Sequence, residues 1–171
     1  MTHFTVLLEN SPHSSSDLLA TFSREQSEQL PARSTVMLTG IVNDRPVRIA
    51  LEPTGQFTHW FVIDAQSAKA LKVKAGDTIT IEATVTKEWP EPIVPKALLQ
   101  VIQDDSDAKK TWHDTTVMAR WEWVRWFESV KTDAAKAERP EKIRSMLAHG
   151  KRRPCCFNLA ARNEPKALEL L

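Results

Sequence analysis

Residues 118–127 read MARWEWVRWF, and three of the six tryptophans of the 171-residue chain lie in this stretch, at Trp121, Trp123 and Trp126. At the helical period of about 100° per residue the segment carries two apolar stripes. Ala119, Trp123, Trp126, Phe127 and Val130 form one, and Val117, Trp121 and Val124 form the other. Arg120 falls between them, while Glu122, Arg125 and Ser129 make a narrow polar strip. A helix apolar on two sides is expected to pack between two other elements, as a central strut. Trp121, Trp123, Trp126 and Phe127 are therefore assigned to a structural core. Indoles interleaved with arginines also suit a nucleic-acid stacking surface or an interfacial membrane helix. Glu122 and Glu128 offset the cations, however, and phosphate binding needs a surplus of them. Core packing is preferred and nucleic acid is disfavoured.

The surrounding pattern extends the helical reading in both directions. Thr115 or Thr116 is placed to cap this helix, which is expected to end near Lys131. Asp133 caps a further segment whose apolar face is Ile143, Met146 and Leu147. Pro140 interrupts it, and an interior proline costs about 3 kcal/mol, so the helix is expected to restart or kink there. Gly150 closes it and Pro154 blocks any continuation. Upstream, Lys96–Ile102 and Asp107–Trp112 have helical spacing.

Before Pro95 the period is that of strands. Phe4, Val6 and Leu8 alternate, as do Ile79, Ile81, Ala83 and Val85. Val36–Val42 and Val47–Leu51 flank Asn43-Asp44, a hairpin signal. Leu18–Phe22 and Phe57–Ile63 are further strand candidates, and Ser23 with Gln26 has capping-box spacing for a helix over Arg24–Leu30. Asp64 can cap a second short helix, Ala65–Leu71. Trp89-Pro90-Glu91-Pro92 reads as a stiff connector, with peptide docking as its other use. Many short strands with two small helices predict a closed or nearly closed barrel. The expected fold class is α+β: a small β-barrel over residues 1–103, then a helical module over 104–171.

Composition narrows the function classes. Hydrophobic residues make up 42% and charged residues 26%, the balance of a globular chain, and the net charge of +1 exerts no global pull toward polyanions. Split at residue 103, the first part carries −2 and the second +3, so any anion affinity belongs to the second. No run approaches the ~18 apolar residues of a membrane span. The start MTHFTVLLEN lacks a basic region and is broken by Glu9, so no signal peptide and a cytoplasmic location are expected.

The most chemically loaded stretch is Gly150–Asn158, GKRRPCCFN. Lys151, Arg152 and Arg153 follow a helix end, where cations favour the helix dipole. They also precede Cys155 and Cys156, and neighbouring cations lower a thiol pKa. This corner is a candidate anion-binding or redox-sensitive site, although inert, packed cysteines are the preferred reading. Adjacent cysteines make no disulfide framework, and no second ligand pair is present for zinc. No metal or cofactor is expected. A catalytic cysteine would need His59 or His113 brought to it. His59 and Trp60, exposed together at a barrel mouth, could hold a small polar ligand. The preferred alternative has Trp60 plugging the barrel and His59 capping a loop.

Several stretches resemble the bacterial YdeI/OmpD-associated (bacteriocin-protection) family. They are Leu51-Glu52-Pro53, Gly55, His59-Trp60, Ala75–Thr78, Glu88–Pro92, Met118–Trp121 and Gly150–Asn158. The likeness spans roughly residues 17 to 158. Pro140 departs from it, standing where that family carries a continuous basic helix, and so does the tail after Asn158. The resemblance implies a double-split β-barrel, the class that includes AbrB-type modules, followed by a small helical unit. It implies no reaction, and associates the chain with resistance to bacteriocins or cationic peptides. The expected function is a non-enzymatic, cytoplasmic stress or peptide-resistance protein that binds a protein or peptide partner or a small anionic ligand. Its surfaces would be the Lys151–Cys156 corner and the His59-Trp60 mouth. The alternatives are a redox sensor or enzyme using Cys155 or Cys156, and a DNA-binding regulator by analogy of fold alone.

Overall fold

The computed structural model describes residues 1–154 and 165–171. Alternation along the first part of the chain produces β1 (Thr2–Asn10), β2 (Leu18–Thr21), β3 (Val36–Val42), β4 (Arg45–Pro53), β5 (His59–Ile63) and β6 (Thr78–Val85). They pair in the order β3-β6-β1-β2-β5-β4, every pair antiparallel, and β3 returns to β4. The ring is thus a closed six-stranded barrel. Its interior is filled by the inward residues of each strand, among them Phe4, Val6, Leu8, Val47, Ile49, Leu51, Phe61 and Ile63. Burying a side chain of this size stabilises by about 1.5–3 kcal/mol, which is why the alternation fixes the register.

Local signals set the connections. Asn43 (φ 46°) and Asp44 (φ 62°) both take left-handed backbone, the geometry of a tight hairpin whose twist matches its strands. Helix α1 (Arg24–Glu28) starts with a complete capping box between Ser23 and Gln26. Helix α2 (Ala65–Leu71) is capped by Asp64, which accepts from the Ser67 N–H at 2.7 Å.

The second compact unit begins at Trp89, not at residue 104. It holds α3 (Lys96–Gln103), α4 (Ser106–Asp114), α5 (Val117–Glu128) and α6 (Asp133–Ala148). Its core is Leu98, Ile102, Ala108, Trp112, Trp123, Val124, Ile143 and Leu147, with Trp126 and Phe127 partly buried against it. Arg144 on α6 bridges Asp105, the N-cap of α4, and Glu141. Both carboxyls are held below their usual range, Asp105 first by the Ala108 N–H and Glu141 first by Arg144.

Two expectations are corrected here. Of the two alternatives at Pro140, the restart is overturned: Pro140 does not begin a helix but lies inside the single element α6. Tertiary anchors flank it. The Arg139 guanidinium sits 4.3 Å from the centre of the Trp126 ring and donates to the Trp126 carbonyl at 2.7 Å, while Ile143 and Leu147 are fully buried. Together these outweigh the local cost of one proline. The second correction concerns the chain end: Pro165–Leu171 belongs to the barrel unit, where Glu169–Leu170 forms a seventh strand, β7, on β4.

Candidate functional site

The basic turn is built by the end of α6. Gly150 (φ 82°) takes the left-handed position, its N–H donates to the Leu147 carbonyl, and the Lys151 N–H reaches back to Met146 at 3.0 Å. This is the paired hydrogen-bond closure of a Schellman motif, and it fixes where the next residues go. The turn is then pinned to α5. Trp123, fully buried, donates its indole N–H to the Arg152 carbonyl at 3.0 Å. The Arg152 guanidinium donates to the Asp114 carbonyl at 3.1 Å, placing positive charge at the C-terminal end of α4. Arg153 lies 3.7 Å from the Glu122 carboxylate. Lys151 makes no ion pair among the described residues, and all three side chains are exposed. Three exposed cations thus sit on a backbone held by a core tryptophan. Cys155 and Cys156 lie outside the described residues.

His59 and Trp60 do not form one site. Successive residues of a strand face opposite sides, so it is His59 that shares the inward face with Phe61 and Ile63, while Trp60, half-buried, lies on the other face opposite the buried Glu52 and does not plug the barrel. His59 is 2% exposed; its Nε2–H donates to the Ser34 carbonyl at 3.1 Å and its backbone N–H to the Ser27 hydroxyl. Nδ1 is then the bare nitrogen, and it is buried without a hydrogen-bond partner among the described residues. Protonation would put an unsatisfied charged donor there. Burial accordingly pushes the His59 pKa below its ordinary value, opposed in smaller part by the Ser34 carbonyl. The folded pKa lies below the unfolded one, so His59 contributes stability that is present above the ordinary histidine value of about 6.5 and is lost as pH falls through the depressed one. We expect the wild-type chain to lose stability across that window in denaturant titrations. His59→Gln should flatten the dependence, and an unchanged slope would contradict the assignment.

The sequence reading missed other features of both units. Phe57, expected in a strand, sits in the β4–β5 loop with φ 64°, 61% exposed, with Arg24 and Arg33 placed 5.5 and 5.3 Å from its ring centre. Arg125, read as part of a narrow polar strip, is 2% exposed and partnered. Trp121 lies outside the core cluster and instead holds the connector. Its indole donates to the Pro90 carbonyl at 2.7 Å, and Trp89 packs edge-on at 5.7 Å. Arg120 binds both oxygens of Glu91 and donates to the Thr115 carbonyl at 2.6 Å. Trp89–Pro92 is therefore docked on α5 of its own unit.

Among the described residues no His, Cys, Asp and Glu side chains cluster as a metal site, and no helix is long and apolar enough to cross a membrane. Comparison with curated proteins and with solved structures returned no match. Two family models do match, and their limits follow the two units. Residues 4–83 match a domain of unknown function, and residues 91–150 match the family described as bacteriocin-protection, YdeI or OmpD-associated. The helical unit, with its tryptophan helix and the glycine that opens the basic turn, is thus similar to the bacteriocin-protection, YdeI or OmpD-associated family, and the barrel to a domain family of unknown function.

Proposed function

We propose that this chain is a non-enzymatic, cytoplasmic protein associated with resistance to bacteriocins or related cationic peptides, and that it acts by binding a multivalent anionic group on a small ligand or partner. The family of the helical unit supports the biological setting. The observation that carries the binding role is the basic turn, where Lys151, Arg152 and Arg153 are exposed on a backbone fixed by Trp123. Prefixing the backbone removes part of the ordering cost that weakens flexible cationic tails. Exposed cations also make the binding salt-dependent, with a Debye length of about 10 Å at 0.1 M.

Calorimetric titration with inorganic pyrophosphate and with an oligoglutamate peptide tests the reading. Wild-type protein should bind at least one of them saturably, more weakly as salt rises. Replacing Lys151, Arg152 and Arg153 by alanine should reduce affinity at least tenfold. These are surface positions, so folding stability should change by no more than about 1 kcal/mol. Undiminished binding by the triple variant would overturn the site.

A further inference from the structure

The last seven residues lie beyond both family models, which end at 83 and 150, yet they are built into the barrel wall. β4 and β5 pair only through Glu52↔Trp60 and Pro53↔His59. Beyond that point the strands diverge, and Pro165–Leu171 runs into the gap. It lies antiparallel to β4, with Val47↔Leu170 and Arg48↔Glu169, and parallel to β5 at Val62↔Ala167. The Val62 N–H donates to the Lys166 carbonyl at 3.1 Å, the Leu168 N–H to the Val62 carbonyl at 2.7 Å, and the Leu171 N–H to the Pro46 carbonyl at 3.0 Å. Leu168 enters the barrel core at 2% exposure, Leu170 packs beside it, and Arg48 pairs with Glu169 at 2.9 Å.

We propose that the gap between β4 and β5 is a strand-accepting slot, and that its occupant is exchanged between copies of this chain, the C-terminal strand of one molecule filling the slot of another. Three observations support this. First, the slot needs an added strand: these edges of β4 and β5 cannot satisfy each other where they diverge, and strand addition supplies both backbone bonds and side-chain pockets. Second, the occupant is specified. Leucines at alternate positions face the core and a carboxylate between them meets Arg48, a pattern carried by the chain's own end and therefore by a second copy. Third, the ladder that holds the strand to β4 is short. β7 pairs with β4 over two residues, against six for β1 with β6, so it can open before the barrel does. Exchange of an identical element between protomers then makes a closed pair.

A labelled synthetic peptide of residues 165–171, PKALELL, is the probe, with its Leu168→Asp counterpart as control. A chain ending at residue 164 should bind the first saturably and the second at least tenfold more weakly. A folded truncated chain that binds neither, or both equally, overturns the slot. If truncation prevents folding, hydrogen exchange on the full chain decides. Amides of Val62, Leu168 and Leu171 should exchange at least tenfold faster than those of the β3–β4 ladder, and exchange at the ladder's own rate overturns a separable strand. Sedimentation of the full chain should show a dimer that grows with concentration and is lost in Leu168→Asp. A monomer up to millimolar concentration overturns exchange between copies.

Discussion

Trp123→Ala should cost about 3–5 kcal/mol and leave the helical unit largely unfolded at 25 °C. The large end of that range is the usual outcome when a fully buried tryptophan is truncated, because transfer and cavity terms add. Trp123 has no exposed surface and sits in the cluster with Leu98, Ile102, Trp112, Ile143 and Leu147. Its loss also removes the hydrogen bond to Arg152, worth about 1 kcal/mol net. Against a typical domain stability of about 5–15 kcal/mol, that is a large fraction. Trp126, edge-on to Trp123 at 5.8 Å and only partly buried, should cost less. Denaturant unfolding followed by circular dichroism gives the ranking. A Trp123→Ala chain within about 1 kcal/mol of wild type would mean that α5 is not the strut of its unit.

Gly40→Val is the corresponding test of the barrel. Gly40 lies opposite Ala83 where β3 meets β6. A Cβ at Gly40 would stand 2.1 Å from the Glu82 carbonyl oxygen and 2.8 Å from the Ala83 Cα. Both obstacles are backbone, so no side-chain rotation relieves them, and the strands must separate. Overpacking commonly costs about 1–3 kcal/mol, and a backbone clash of this depth belongs at the top of that range or above it. We expect Gly40→Ala to lower the melting temperature measurably and Gly40→Val to abolish the cooperative transition of the barrel. A valine variant that melts like wild type would contradict the β3–β6 register.

What the sequence shows of this fold depends on how local the cause is. The Ser23–Gln26 capping box, the Asn43-Asp44 hairpin, the Asp64 cap and the alternation of β1 and β6 each involve a few neighbouring residues, and each is read correctly from them. The misreadings come from tertiary context. Phe57 has strand-forming composition, but the Thr54–Thr58 loop, closed by their hydroxyls at 2.8 Å, fixes it in a turn. Arg125 belongs to a polar strip by spacing alone, and no periodicity reveals that it, unlike Glu122 and Ser129, is buried. The alternation of Leu168 and Leu170 is too short to stand out as a strand until the gap it fills is known. The placement of the unit boundary at Trp89 follows from the docking of Trp89–Pro92 on Arg120 and Trp121, contacts between residues about thirty positions apart. At the site, the cations were legible as a run. Their anchoring through the indole of Trp123 was not, because that bond spans 29 residues.

That bond joins the scaffold to the surface proposed to bind anions, so a single signal reports on both. In a ¹H–¹⁵N spectrum the Trp123 indole N–H should exchange slowly with deuterated solvent and should shift saturably as pyrophosphate is added. The shift should vanish in the Lys151, Arg152, Arg153 triple-alanine chain. Rapid exchange of that proton, or a resonance indifferent to the anion, would contradict a basic turn held in place by the core.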